Sequence, residues 1–369
     1  MERGFGMLQL GHLELDVPFI QAALSGYSDL PMRRIARRHG APYALNEVVL
    51  DKLVTQHGKV RKRILRTEPD DHPVGGQLMG ADPDDFGPAA FALAEAGHDV
   101  IDINFGCPVR KVLGRCRGGF HLSQPEVALD IVRRAHDAVQ DRCPVTVKMR
   151  RGLDDSPESE RNFFTILDGA FDIGAAAVTV HGRTVAQRYV GPSNWGFLQR
   201  VKRHVGNRII FGSGDLFSAA ACLRMLAETG VDGVAIARGC IGNPWIFNEC
   251  RALYAGRPLP PPPSIFEQGR TLAAHFAESV LVHGPRLAAR VMRKFGIKYG
   301  EHHPEARAVR DAFVAVGSVA DFEAVLTTWY DPDADWPPVK RRQGHGHLIA
   351  AGASDPGGPG DVLAGIGEL

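Results

Sequence analysis

Val100-Ile101-Asp102-Ile103-Asn104-Phe105-Gly106-Cys107-Pro108 is an apolar run with strand character that stops abruptly in Asn, Gly, Cys and Pro. Gly106 loosens the backbone and Pro108 fixes it, so the strand runs out into a turn carrying a thiol. Structural cysteines mostly lie inside elements, and one at a strand exit is a candidate for chemistry. The same unit, a short apolar strand followed by a longer amphipathic stretch, recurs on both sides. Strand candidates are Phe19–Leu24, Tyr43–Val48, Val74–Met79, Val100–Phe105, Val145–Met149, Ala177–His181, Arg208–Gly212 and Gly233–Ala237. Helical patterns between them include Phe86–Ala96, Pro125–Val139, Glu158–Ile173 and Phe217–Glu228. Eight such units predict an α/β chain folded as a (β/α)8 TIM barrel. A doubly wound open sheet is the competing architecture, but no Gly-x-Gly-x-x-Gly follows the first strand.

Working outward, Pro258 to Pro263 form a Pro-rich break, which places the barrel in residues 1–257. Phe266–His283, Pro285–Tyr299, Glu305–Val316 and Val319–Thr327 then repeat apolar residues at helical spacing, predicting a small helical domain over residues 264–335. After Trp336-Pro337-Pro338 the composition collapses to Gly, Pro, Ala and Asp, and residues 340–369 are expected to be a flexible tail.

The 369 residues carry a net charge of only +1, which neither requires nor excludes a nucleic-acid partner. Six irregularly spaced cysteines fit neither a disulfide framework nor a zinc site, so the expectation is reduced thiols and no metal. Met1-Glu2-Arg3-Gly4 lacks a signal-peptide pattern and no apolar run is long enough to span a membrane. A cytoplasmic protein is expected.

In a TIM barrel chemistry belongs at the C-terminal ends of the strands. Here those ends read Leu24-Ser25-Gly26, Asn46-Glu47, Gln77, Asn104 to Cys107, Lys148, His181, Ser213-Gly214-Asp215 and Ala237-Arg238-Gly239. The last two have the character of a phosphate site, with small residues for close backbone approach and a permanent charge on Arg238. Asp215 would repel a phosphate, so its expected part is to cap the helix beginning near Phe217 and to offer its N–H to the ligand. Lys148 ends an apolar strand and needs an anion or an electron-rich ring, while Gln77 can meet a heterocycle edge with donor and acceptor. Together with His181 this set suits a bound FMN.

These residues resemble a family, the tRNA-dihydrouridine synthases. Asn104 to Val112 is similar to its catalytic Asn-Met-Gly-Cys-Pro segment, and Val147-Lys148-Met149-Arg150 to its lysine strand. Thr179-Val180-His181-Gly182-Arg183-Thr184, followed by Gln187, Tyr189 and Gly191, resembles its His-Gly-Arg-Thr segment. Gly239 to Phe247 resembles the end of its barrel, and Arg293 to Tyr299 a pattern of the bacterial B-type branch. Departures fall at Ala22-Ala23-Leu24 (usually Ala-Pro-Met), at Ser213 (usually Asn), at Ala237 (usually Gly) and at Arg115 to Gly119 in the loop after the cysteine.

The resemblance implies FMN-dependent reduction of uridine to 5,6-dihydrouridine in tRNA, with NADPH as reductant. It implies hydride delivery from flavin N5 to C6 of the uracil and a proton from Cys107 to C5. Ala23, Leu24 and Ser25 would face the flavin, Gln77 and Lys148 its ring, and Ser213, Gly214, Asp215, Ala237 and Arg238 its phosphate. Asn104 and His181 would seat the uracil or the flavin. A free thiol, with a pKa of about 8.5, is mostly protonated at neutral pH and suits a general acid. The target base must be drawn out of folded RNA, whose backbone needs a basic surface. Arg286, Arg290, Arg293, Lys294 and Lys298 recur at three- and four-residue steps and predict such a face on one helix. Arg33, Arg34, Arg37 and Arg38, with Arg61 to Arg66, read as ordinary surface charge or an extension of that footprint. Cys116 reads as a bystander, and the chain as a monomer. Two other readings stay open at this level: an FMN barrel reducing a free small molecule, and an RNA-binding relative that has lost turnover.

Overall fold

The structure, a computed structural model, describes residues 7–341. The sequence's alternation sets the sheet. Strands β1 (Phe19–Gln21), β2 (Ala44–Leu45), β3 (Val74–Met79), β4 (Val100–Phe105), β5 (Val145–Arg150), β6 (Ala177–His181), β7 (Ile210–Ser213) and β8 (Gly233–Ile236) run parallel. Each pairs with its neighbour, and β8 returns to β1 through Val234 opposite Phe19, closing an eight-strand barrel. The helices that follow β1 and β3 to β8 are α1 (Leu30–Arg38), α2 (Pro83–Glu95), α3 (Pro125–Val139), α4 (Pro157–Ile173), α5 (Trp195–Val205), α6 (Ala219–Thr229) and α7 (Ile246–Tyr254). Two short helices, Asp51–Thr55 and Lys59–Ile64, fill the place after β2.

Successive side chains point to opposite faces of a strand, so each strand sorts itself. On β4 the residues Ile101, Ile103 and Phe105 join the layer between barrel and helices, while Val100 joins the barrel interior and Asp102 lines it. On β5 the outer set is Val145, Val147 and Met149, which leaves Thr146, Lys148 and Arg150 for the inner face. The inner layer begins in apolar packing of Ile20, Tyr43, Leu45, Val100, Ala177 and Phe211 and turns polar towards the strand ends. An N-terminal hairpin, Leu8–Leu10 with Leu13–Leu15, adds Leu10 and Leu15 to that packing and touches Pro144 just before β5, plugging the opposite end.

Four strands are shorter than the apolar runs predict: β7 begins at Ile210 rather than Arg208, β8 ends at Ile236 rather than Ala237, and the first two strands lose more. The first ends at Gln21 because Leu24 to Ser28 close on themselves: Tyr27 and Ser28 N–H both donate to the Leu24 carbonyl, at 2.9 and 3.0 Å. The second breaks after Leu45 and resumes at Val49–Leu50: the Asn46 N–H still donates to the Gly75 carbonyl at 2.8 Å, but the Gln77 N–H is taken by the Asn46 side-chain oxygen, at 2.9 Å, instead of a backbone carbonyl.

A Ser264–Glu267 capping box straight after the Pro-rich run starts α8 (Ile265–His283). It is followed by α9 (Pro285–Gly300), α10 (Ala306–Ala315) and α11 (Val319–Trp329), so the C-terminal helices lie where their periodicity places them. Phe276 stacks on Phe322 with centroids 4.0 Å apart, and the helical core is continuous with the outer barrel layer. Lys340 and Arg341, placed in the tail by composition, are anchored: Lys340 N–H donates to the His302 carbonyl at 2.9 Å and Arg341 Nε to Glu249 at 2.8 Å. Residues 342–369 of the expected tail lie outside the described residues. Among the described residues no helix is long and apolar enough to cross a membrane, and no His/Cys/Asp/Glu group could hold a metal ion.

Candidate active site

The C-terminal strand ends surround a cavity of about 440 Å3, within the range typical of small-molecule and cofactor sites. Ala23, Leu24, Ser25, Gln77, Asn104, Cys107, Lys148, His181, Ser213, Gly214, Asp215, Ala237 and Arg238, chosen from sequence, all line it. Lys298 reaches it from α9; Arg290, Arg293 and Lys294 are not among its lining residues.

Register explains one side of the site. Gln77 on β3 lies opposite Asp102 on β4, which lies opposite Thr146 on β5, so three inward side chains form a row. Thr146 Oγ1 and Gln77 Nε2 both donate to the Asp102 carboxylate at 2.6 Å. That orients the Gln77 amide so that its Oε1 accepts from Asn104 Nδ2 at 2.7 Å. Asn104 Oδ1 in turn accepts the N–H groups of Gly106 and Cys107, at 2.9 and 3.1 Å. The cysteine turn is thus tied to the barrel interior through four side chains. Asp102 and Thr146 were missed by sequence reading; an aspartate inside the run Val100-Ile101-Asp102-Ile103 was the available signal.

Arg150 was also missed as a site residue. Two positions beyond Lys148 on the same strand face, it donates to the carbonyls of Gly106 at 2.9 Å, Thr184 at 2.8 Å and Arg188 at 2.6 Å. A buried guanidinium therefore clamps the cysteine turn to the loop after β6. Tyr189 of that loop lies under Arg238, whose guanidinium is 4.3 Å from the ring centroid, with Arg150 at 5.3 Å.

Burial raises the Cys107 thiol above its ordinary pKa, and Arg150 and Lys148 only partly offset it, so the thiol is protonated at neutral pH. Burial and repulsion from Arg150 lower Lys148 to about 8. Its ammonium has no hydrogen bond or ion pair with any described residue. Burial and four surrounding cations hold His181 well below the ordinary histidine value, keeping it neutral. Arg183 Nη1 can only donate, so the His181 Nε2 that it meets at 3.3 Å is the acceptor and the ring proton sits on Nδ1.

At the far side the expectation for Asp215 is corrected. The helix after β7 begins at Ala219 and is capped by Ser218, which accepts the Ala221 N–H. Asp215 instead accepts two bonds from the buried Arg183 guanidinium, at 2.7 and 3.0 Å, and one from the Ser193 N–H at 2.7 Å. Its negative charge is matched by Arg183. The N–H groups of Gly214 and Asp215 have no acceptor among the described residues. Gly214 sits at φ +112°, and a Cβ there would lie 2.4 Å from Ser193 Oγ, so the turn requires glycine. The Ser213 hydroxyl donates to the Ala235 carbonyl at 3.1 Å and belongs to the barrel wall.

The expected basic face of α9 is divided by tertiary contacts. Arg286 and Arg290 are exposed. Arg293 donates to the Val316 carbonyl, Lys294 to the Gly26 carbonyl, and Lys298 pairs with Glu301 at 2.7 Å. Three arginines of α1 are taken up by contacts, Arg33 buried on Asp71, Arg34 paired with Glu278 of α8 and Arg37 donating to Pro73, while Arg38 is exposed surface charge that also pairs with Glu278. Cys116 is exposed.

A family profile, dihydrouridine synthase (Dus), matches residues 20–330. A "Probable tRNA-dihydrouridine synthase" of Mycobacterium tuberculosis is 34% identical over 336 residues, covering 86% of this chain and 84% of the relative. A protein of the same printed name from Rickettsia prowazekii is 32% identical over 307 residues, covering 82% and 91%. Among solved structures, the old yellow enzyme homologue of Zymomonas mobilis aligns with TM-score 0.50 at 15% identity, over 69% of this chain and 93% of that one. At that identity the likeness concerns the barrel fold alone. The extent of the profile match and the identity to these relatives over most of both chains establish that this chain belongs to the tRNA-dihydrouridine synthase family.

Proposed function

We propose that this protein reduces uridine in tRNA to 5,6-dihydrouridine, with FMN in the barrel mouth and NADPH as reductant. The observation that carries this reading is Cys107 in one cavity with a Lys148 ammonium and with the Gly214 and Asp215 N–H groups, none of these N–H donors having an acceptor among the described residues. The donor set fits FMN. Gly214 and Asp215 N–H with Arg238 would hold its phosphate, and the ring would meet Lys148 and the remaining N–H of Gln77, against Ala23, Leu24 and Ser25. Bound FMN supplies the hydride that a uracil C5–C6 double bond needs.

The chain's own contribution is the proton and its placement. Cys107 holds a proton on Sγ and delivers it to C5, while Asn104 and Arg150 keep the turn that carries it in place. The neutral His181 offers Nδ1–H to the uracil or flavin without adding a charge. Exposed Arg286 and Arg290 meet RNA phosphates, with Lys298 at the cavity rim. In this reading residues 1–257 are the catalytic domain and 264–335 the RNA-binding domain of a cytoplasmic monomer.

The test is Cys107→Ala, assayed for flavin absorbance and for dihydrouridine in tRNA with NADPH. The variant is expected to stay yellow and to lose roughly 10²–10⁴ in rate, the usual loss on removing a general acid. Near-normal turnover would remove Cys107 from the mechanism. Reduction of free uridine as fast as of tRNA would move the reading to a small-molecule reductase.

A further inference from the structure

Lys294 belongs to the series expected to face RNA, yet its side chain turns away from solvent. From α9 it crosses to the turn after β1 and donates to the Gly26 carbonyl. Its ammonium lies 5.0 Å from the Tyr27 ring centroid and 5.4 Å from that of Phe295, and those rings meet edge to face at 5.3 Å. The carboxylates of Asp29 and Glu47 supply the countercharge felt by this ammonium. Asp29 is itself held, capping α1 through the Met32 N–H at 3.2 Å and pairing with His283 of α8 at 3.0 Å. Burying an ammonium is costly unless acceptors and countercharges receive it, and here they do.

The turn that Lys294 holds is a wall of the cavity: Leu24, Ser25 and Tyr27 all line it. Its local bonds fix its shape, with the Ser28 hydroxyl accepting the Leu24 N–H at 2.8 Å and Gly26 at φ +75°. None of those local bonds fixes where the turn sits relative to the barrel axis. Two anchors come from the barrel side, where Arg33, held on Asp71, donates to the Ser28 carbonyl at 3.0 Å and the Glu47 carboxylate accepts from the Gly26 backbone. Ion pairs from α1 to Glu278 of α8 and the Lys294 contact on the Gly26 carbonyl add the anchors from the helical region. Gly242, in the loop after β8, packs on the α9 backbone so closely that a Cβ would lie 2.4 Å from the Lys298 carbonyl carbon.

We propose that Lys294 is a positioning residue that seats the Leu24–Ser28 turn as a wall of the FMN site, so that the helical region completes the cofactor pocket as well as carrying RNA. This rests on reading the cavity as the FMN site.

The experiment compares the full-length parent with Lys294→Met and Lys294→Arg, all three checked for folding by thermal melting. Hydrogen exchange over residues 24–28 is measured without flavin, FMN affinity by fluorescence quenching, and tRNA affinity by filter binding. Expected for Lys294→Met are faster exchange at 24–28 and roughly tenfold weaker FMN binding, with tRNA affinity unchanged and Lys294→Arg recovering most of the flavin affinity. Unchanged exchange at 24–28, or a loss confined to tRNA affinity, overturns the proposal. A parent that binds no FMN while its exchange still responds to the substitution overturns the cofactor reading and leaves the positioning role standing. Where Lys294→Met no longer melts cooperatively, Lys294→Gln takes its place: faster exchange at 24–28 with weaker FMN binding and unchanged tRNA affinity supports the assignment, and unchanged exchange or unchanged flavin affinity overturns it.

Discussion

In the proposed reaction the useful property of Cys107 is a retained proton, and its surroundings favour that. Burial outweighs the attraction of Lys148 and Arg150, so the thiol stays protonated past its ordinary value. Lys148 behaves differently: with its pKa lowered to about 8, it is cationic at neutral pH and loses its charge as pH rises through that value. FMN affinity is therefore expected to fall as pH passes through about 8, and Lys148→Met should show weaker binding without that limb. A flavin titration across pH checks both, and an unaltered limb in Lys148→Met would assign it elsewhere. Asp102 is the other residue whose replacement is informative. An asparagine can keep its oxygen towards Gln77 and turn its nitrogen to Thr146, so Asp102→Asn should be mild. Asp102→Ala leaves the Gln77 amide free to rotate, which releases Asn104 and then the Cys107 turn. A loss of roughly ten- to a hundredfold in turnover is expected for it, measured in single-turnover assays.

Among the elements, the β6 and β7 exits depend on one ion pair. Arg183 and Asp215 are 1% and 6% exposed and come from loops that local sequence does not connect. Asp215→Ala would leave a buried guanidinium without its countercharge, at a cost of about 3–5 kcal/mol in unfolding free energy. Urea denaturation of the flavin-free protein measures it, and a change within experimental error would show that the pair contributes nothing net. Helix α9 also divides its labour by position. Residues about 100° apart on a helix meet different surroundings, and the edges of the basic arc reach Val316 on one side and Gly26 on the other. Only Arg286 and Arg290 are exposed members of that arc.

For the whole molecule, that division predicts how RNA affinity depends on salt. Replacing Arg286 and Arg290 together with Ala should weaken tRNA binding and reduce the slope of log affinity against log salt by roughly one to two. Flavin binding should not change, because neither residue lines the cavity. An unchanged slope would place the RNA footprint on another face. Removing the helical region altogether is a poorer test. Phe295 packs on Tyr27 and Tyr299 on Trp245, so cutting after the Pro-rich run would expose the barrel's own core and open the cavity wall.

Much of this was legible before any tertiary information. Strands β3, β4 and β6 fall where their apolar runs begin and end, and the four C-terminal helices match their 3.6-residue periodicity, because alternation and helical spacing are local properties. Every residue chosen for the catalytic and cofactor sites lines one cavity, because a closed barrel brings all strand ends to one mouth. The sequence by itself determined the barrel, the thiol at its rim and the polar set around it. Only the tertiary structure decided that Asp215 answers Arg183, that Asp102 orients the cysteine turn through Gln77 and Asn104, and that Lys294 reaches Gly26 across 268 positions of chain. Ring closure and the docking of α8 and α9 create those pairs, and no local pattern encodes which distant partner a buried charge will meet.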